Sequence, residues 1–87
     1  MFHERYKIYK VEPKSGHMRQ VHKDVLGTEC KIIYLEVGDP AYLEFYYKVN
    51  ETFSTLRTSP VVNVDIRLDG DVVAIETKNT LYCLERI

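Results

Sequence analysis

The sequence predicts an all-β domain: a small antiparallel meander of six to seven short strands curled into a barrel or roll, with at most a short helical turn. Three observations predict it. Two runs alternate apolar and polar residues with period two, turn residues punctuate the chain at short intervals, and no stretch sustains a helical period of 3.6. A chain of 87 residues suits a single domain, read as residues 1–87.

Tyr6-Lys7-Ile8-Tyr9-Lys10-Val11 reads as a first strand, with Tyr6 and Ile8 on one inward face. Pro13-Lys14-Ser15-Gly16 is a turn, and residues 17–22 read as a weaker second strand. Residues 29–37 form an apolar stretch from Cys30 to Val37, expected to be a central strand buried on both faces. Gly38-Asp39-Pro40 then breaks the chain. In residues 41–49, Leu43, Phe45, Tyr47 and Val49 alternate with Tyr42, Glu44, Tyr46 and Lys48, so one face is buried.

The polar stretch from Asn50 to Ser59 ends in Pro60 and reads as a loop. Residues 60–68 resume the alternation, with Val62, Val64, Ile66 and Leu68 expected inside and Asn63, Asp65 and Arg67 outside. Asp69-Gly70 predicts a tight type I′ hairpin leading to a strand over residues 72–77. Lys78-Asn79 turns the chain into a last strand over 80–86. Curling such a meander removes the open edges that invite aggregation.

Composition narrows the function classes. Apolar residues make up 45% and charged residues 29%, within the globular range, so the chain is not a disordered one. No apolar run is long enough for a membrane-spanning helix, and Met1-Phe2-His3-Glu4-Arg5 does not resemble a signal peptide, so the chain reads as cytoplasmic, without a membrane partner. Cys30 and Cys83 fit that address as reduced, small hydrophobes in apolar strands. A Cys30–Cys83 disulfide requires their strands to be neighbours. Asn50-Glu51-Thr52 matches the glycosylation pattern, which carries meaning only in a secreted chain.

Charge is uneven. Residues 1–23 hold six Lys/Arg against two acids, and residues 24–87 hold six against eleven. Arg5, Lys7, Lys10 and Arg19, interleaved with Tyr6 and Tyr9, suggest an alternative face for single-stranded nucleic acid, where Tyr rings stack on bases. The same lysines equally protect a strand edge.

The expected reading is non-catalytic. His17 and His22 lie five apart with no ligand pair at zinc spacing, and on a strand they would face opposite sides. Neither Ser59 nor Cys83 sits in a nucleophile elbow. Asp65, Asp69, Asp71 and Glu76 alternate with core positions or occupy a turn, so they should be solvated. No glycine run cradles phosphate before a helix. No catalytic residue, metal ligand or small-molecule cofactor is therefore assigned.

A binding role remains, toward another protein or a second copy of the chain. Tyr34, Tyr42 and Tyr46 are the expected contact residues, since tyrosine is enriched at interfaces, and Tyr46 lies on the polar face of its strand. Arg57, in Arg57-Thr58-Ser59-Pro60, adds a planar donor for a carboxylate or phosphate.

Three segments carry a resemblance: Val37-Gly38 with Ala41-Tyr42-Leu43, then Arg57-Thr58-Ser59-Pro60-Val61, then Ile75-Glu76-Thr77-Lys78-Asn79-Thr80-Leu81-Tyr82. Over roughly residues 29–87 the chain resembles a loose group of uncharacterised small β proteins of Gram-positive bacteria and their phages, marked by Thr-Ser-x-Val and Thr-x-Asn-Thr-x-Tyr. The resemblance implies a small β fold in a bacterial or phage cytoplasm, and no activity.

Overall fold

A computed structural model describes residues 2–47 and 51–87. Among the described residues, six antiparallel strands run in the order β1-β2-β3-β4-β5-β6, and β6 pairs back onto β1 to close a barrel. The strands are β1 (Tyr6–Pro13), β2 (Glu29–Tyr34), β3 (Pro40–Tyr47), β4 (Thr52–Arg67), β5 (Val72–Thr77) and β6 (Thr80–Arg86). No helix among the described residues is long and apolar enough to cross a membrane.

Alternation builds the interior. Tyr6, Ile8, Val11, Leu43, Phe45, Val73, Ile75, Tyr82 and Leu84 are all buried, contributed by β1, β3, β5 and β6 at period two, save that a bulge at Tyr9 sets Val11 three residues after Ile8. The buried Tyr6 phenol is satisfied, accepting from the His3 amide at 3.0 Å and donating to the Gly70 carbonyl at 2.6 Å. That second bond ties the entrance of β1 to the β4–β5 turn. Val49, expected inside, and Lys48 and Asn50 lie outside the described residues.

Four expectations need correction. Residues 17–22 are not a strand: Gln20–Val25 form a helix, α1. His22, at its third position, accepts the Arg19 amide on Nδ1 at 3.1 Å, the reach-back half of a capping box. Met18 and Val25 pack on the core beside it. The two histidines therefore do not take opposite faces of a strand.

From Thr52 onward, the stretch read as a loop is the start of β4. Its residues pair with β3 from Tyr47↔Thr52 to Tyr42↔Arg57. Threonine at residues 52 and 55 suits an exposed strand, whose polarity the sequence displays as if it were a loop.

Residues 29–37 are not buried on both faces. β2 stops at Tyr34, and Ile33, Tyr34 and Val37 are exposed. A bulge between Ile32 and Tyr34 puts Ile33 outside the alternation.

The inward phase of residues 60–68 is also broken. Val61 is buried, whereas Val62 is the extra residue of a bulge against β5 and lies exposed. Val64 and Ile66 return to the inward face opposite Ile75 and Val73, but Ile66 is still exposed, and Leu68 is in a turn at 72% exposure. That turn spans residues 68–71 rather than two residues, with φ of 52° at Leu68 and 55° at Asp69. Asp69 and Gly70, at φ of 92° for Gly70, both take the positive φ expected of them, and Leu68 extends the run by one residue.

Candidate functional site

Cross-strand partners in an antiparallel sheet share a face, so the register fixes what the barrel wall displays. Tyr34 of β2 pairs with Tyr42 of β3, and Tyr42 pairs with Arg57 of β4. Three of the four expected contact residues thus form one row on the outer face. The Tyr34 and Tyr42 rings meet edge to face, with centroids 6.2 Å apart. Tyr34 donates its hydroxyl to Asp39 Oδ2 at 2.7 Å, and this bond holds the phenol above its ordinary pKa. Arg57 is exposed and makes no ion pair among the described residues.

Four residues along β3, roughly 13 Å at strand rise, a second row joins Glu29, Tyr46 and Phe53. Tyr46 and Phe53 rings pack with centroids 5.1 Å apart, and Phe53 is 68% exposed. Between the rows run Lys31, Glu44 and Thr55. A shallow cavity of about 90 Å³ opens beside the second row, lined in part by Arg5, Glu29, Glu44, Tyr46 and Phe53. The face therefore combines aromatic surface with charges of both signs.

Phe53 escaped the sequence reading because it stands in a polar run. The available signal was hairpin symmetry: folding the chain back after Tyr47 sets Phe53 opposite Tyr46.

The basic N-terminal set does not converge. Arg5 Nη1 binds Glu29 Oε2 at 3.0 Å, and Lys10 Nζ binds Glu12 Oε2 at 3.1 Å. Lys7 sits between two carboxylates as cross-strand neighbours, Glu29 on β2 and Glu85 on β6. Arg19 lies apart from these, in a cleft with Lys14, His17 and Lys78.

The Thr-Ser and Thr-x-Asn-Thr segments do meet. Ser59 Oγ donates to Thr77 Oγ1 at 2.9 Å and accepts the Asn79 amide at 3.2 Å. Thr58 Oγ1 accepts the Ala41 amide at 2.9 Å and donates to the Ser59 carbonyl at 2.7 Å. It fills the gap in the ladder where two β4 residues oppose one of β3. These hydroxyls are spent on one another and on the backbone, which leaves Ser59 a structural role.

Cys30 and Cys83 are both free. Cys30 points into the barrel opposite Phe45, and burial pushes its thiol up to about 12. Cys83 alternates with inward Tyr82 and Leu84, so it faces outward, where Tyr9 covers it. β2 and β6 are not neighbours, so no disulfide joins them.

Comparison with protein-family models, with curated proteins and with solved structures returns no match.

Proposed function

We propose that the protein is a non-catalytic interaction module that binds protein, in the first instance a second copy of itself, through the outer face of β2, β3 and β4. The observation that carries this reading is Phe53, 68% exposed beside Tyr46 on the same wall as the Tyr34–Tyr42–Arg57 row. Aromatic side chains and arginine supply most of the energy of protein interfaces. A two-fold contact must be self-complementary, and this face offers Arg57 and Lys31 together with Glu44 and Glu29. The resemblance to small β proteins of Gram-positive bacteria and their phages is compatible with this role and suggests a bacterial or phage cytoplasm as its setting. The nucleic-acid alternative has less support, because carboxylates neighbour Arg5, Lys7 and Lys10.

Sedimentation velocity from micromolar to millimolar chain tests the proposal. The wild type is expected to dimerise reversibly, and Phe53→Ser or Tyr42→Ala/Arg57→Ala should weaken the dimer at least about tenfold, a loss of ~1.4 kcal/mol. Val62→Ser, at an exposed site in the β4–β5 part of the wall, should leave it unchanged. A wild-type chain that stays monomeric at millimolar concentration would refute self-association.

A further inference from the structure

A second feature lies where β1 leaves and β6 enters the barrel, and the interaction face does not use it. Pro13 of β1 pairs with Thr80 of β6, and the Lys14 amide donates to the Asn79 carbonyl at 2.8 Å. These contacts fix the β1–α1 connection against the β5–β6 turn. Between them opens a cleft of about 260 Å³. Lys14, His17 and Arg19 line it from one side and Lys78 and Asn79 from the other, with His22 and Thr80 also in its wall.

No carboxylate belongs to that lining. Lys14 Nζ is held by Glu76 Oε2 at 2.8 Å, so one of the three permanent cations is already neutralised. Arg19 and Lys78 make no ion pair among the described residues. A chain with net charge −1 thus gathers an excess of about two positive charges around one concavity. Ser15 and Asn79 add neutral polar groups to the lining.

We infer that this cleft binds a phosphate monoester. Such a group carries about −1.5 to −2 charge at neutral pH, which matches the excess, and offers three acceptor oxygens to Arg19, Lys78 and the cleft's neutral donors. The volume falls below the roughly 300–1,000 Å³ of drug-sized sites, so it suits the phosphate and the first atoms attached to it. Arg19 supplies the planar fork that takes two phosphate oxygens, and Lys78 acts as a point charge from the opposite loop. Neither residue holds up the barrel, since both side chains are exposed.

Amide chemical-shift titrations of the isotopically labelled chain test the site. The probes are inorganic phosphate, glycerol 3-phosphate, and a short oligonucleotide with and without a 5′-phosphate, each against sodium chloride at matched ionic strength. Saturable shifts confined to the Ser15–Arg19 and Lys78–Thr80 amides are expected with phosphate, glycerol 3-phosphate and the 5′-phosphorylated oligonucleotide. Arg19→Ala and Lys78→Ala should each weaken binding about tenfold, the loss of one charge-assisted contact at ~1.4 kcal/mol. Lys7→Ala should not weaken it. Shifts that sodium chloride reproduces, or that spread equally over Lys7, Lys10 and Lys31, would overturn the inference. So would equal binding of the oligonucleotide lacking a 5′-phosphate, which would make the cleft a site for internal phosphodiesters. Because Phe53→Ser leaves the cleft intact, it should bind phosphate as the wild type does, whatever its oligomeric state.

Discussion

Thr77 Oγ1 donates to the Thr80 carbonyl at 2.9 Å and accepts the Thr80 amide at 3.0 Å, so one side chain closes the β5–β6 hairpin through both backbone groups of the residue across the turn. It also accepts Ser59 Oγ from β4, and Thr77 is fully buried. The Thr-Ser and Thr-x-Asn-Thr segments are therefore one knot of hydrogen bonds joining three strands. That accounts for the hydroxyls at Ser59 and Thr77, whereas Asn79 and Thr80 enter the knot through their backbones.

The knot makes Thr77 a sensitive position. Thr77→Val preserves shape but leaves the Thr80 amide and carbonyl and the Ser59 hydroxyl short of partners. Each such buried group costs about 1–3 kcal/mol, so the variant should lose roughly 3 kcal/mol in urea unfolding. Thr77→Ser keeps the oxygen and should lose only about 1 kcal/mol, the value of a buried methylene-sized group. Equal stability of Thr77→Val and wild type would show that the knot contributes nothing net.

Fold class was legible because β3 alternates cleanly, Leu43 and Phe45 against Tyr42 and Glu44, and because β5 and β6 are short apolar runs set between turn residues. What the sequence hid has local causes. Helix α1 is six residues long, too short for a sustained period, although Met18, Val21, His22 and Val25 stand at helical spacing. The bulge at Val62 shifts phase within an apolar run, and nothing in Val61-Val62 says which valine leaves the core. Tyr34, Tyr42 and Arg57 were chosen one by one, and only the register makes them a row. The phosphate cleft was less legible still, because Lys14 and Lys78 come from opposite ends of the chain.

Leu68 should be replaceable with gain. Its φ of 52° is the left-handed region, which costs a branched side chain about 1–2 kcal/mol, and at 72% exposure it recovers little by burial. Leu68→Asn, a residue that tolerates this conformation, should stabilise the chain by about 0.5–1 kcal/mol and raise Tm by a few degrees. Calorimetry showing a lower Tm would mean that Leu68 is held by contacts stronger than its strain.

The two thiols should differ in accessibility. Burial raises both, Cys30 to about 12, so neither is an efficient nucleophile in the folded chain at neutral pH. Cys83 lies just under the surface beneath Tyr9, whereas Cys30 lies inside the barrel wall. Tyr9→Ala should speed iodoacetamide labelling of Cys83 severalfold and leave Cys30 labelling limited by unfolding. Mass spectrometry of each cysteine peptide reads both rates, and parallel acceleration would mean that Tyr9 supports the whole barrel rather than covering one thiol.

His22 should make stability depend on pH. Burial, and then the positive charge of Arg19, hold its imidazole below the ordinary value of 6.5. Its Nδ1 accepts the Arg19 amide, so Nε2 carries the proton and points to Thr80 Oγ1 at 3.5 Å. Lys14, His17 and Lys78 in the adjoining cleft add no negative charge that would favour imidazolium. Below pH 6.5 the unfolded chain takes up a proton that the folded chain refuses, so this contribution is complete above that pH and declines as pH falls to and through the lowered folded value. Linkage limits the slope from one such group to about 1.36 kcal/mol per pH unit. His22→Gln retains a side-chain acceptor for the Arg19 amide, as the usual capping-box residue does, but cannot titrate. Urea unfolding between pH 7.5 and 5.5 should therefore give a flatter profile for His22→Gln than for wild type. Parallel profiles for wild type and His22→Gln would show that the imidazole titrates alike in the folded and unfolded chain.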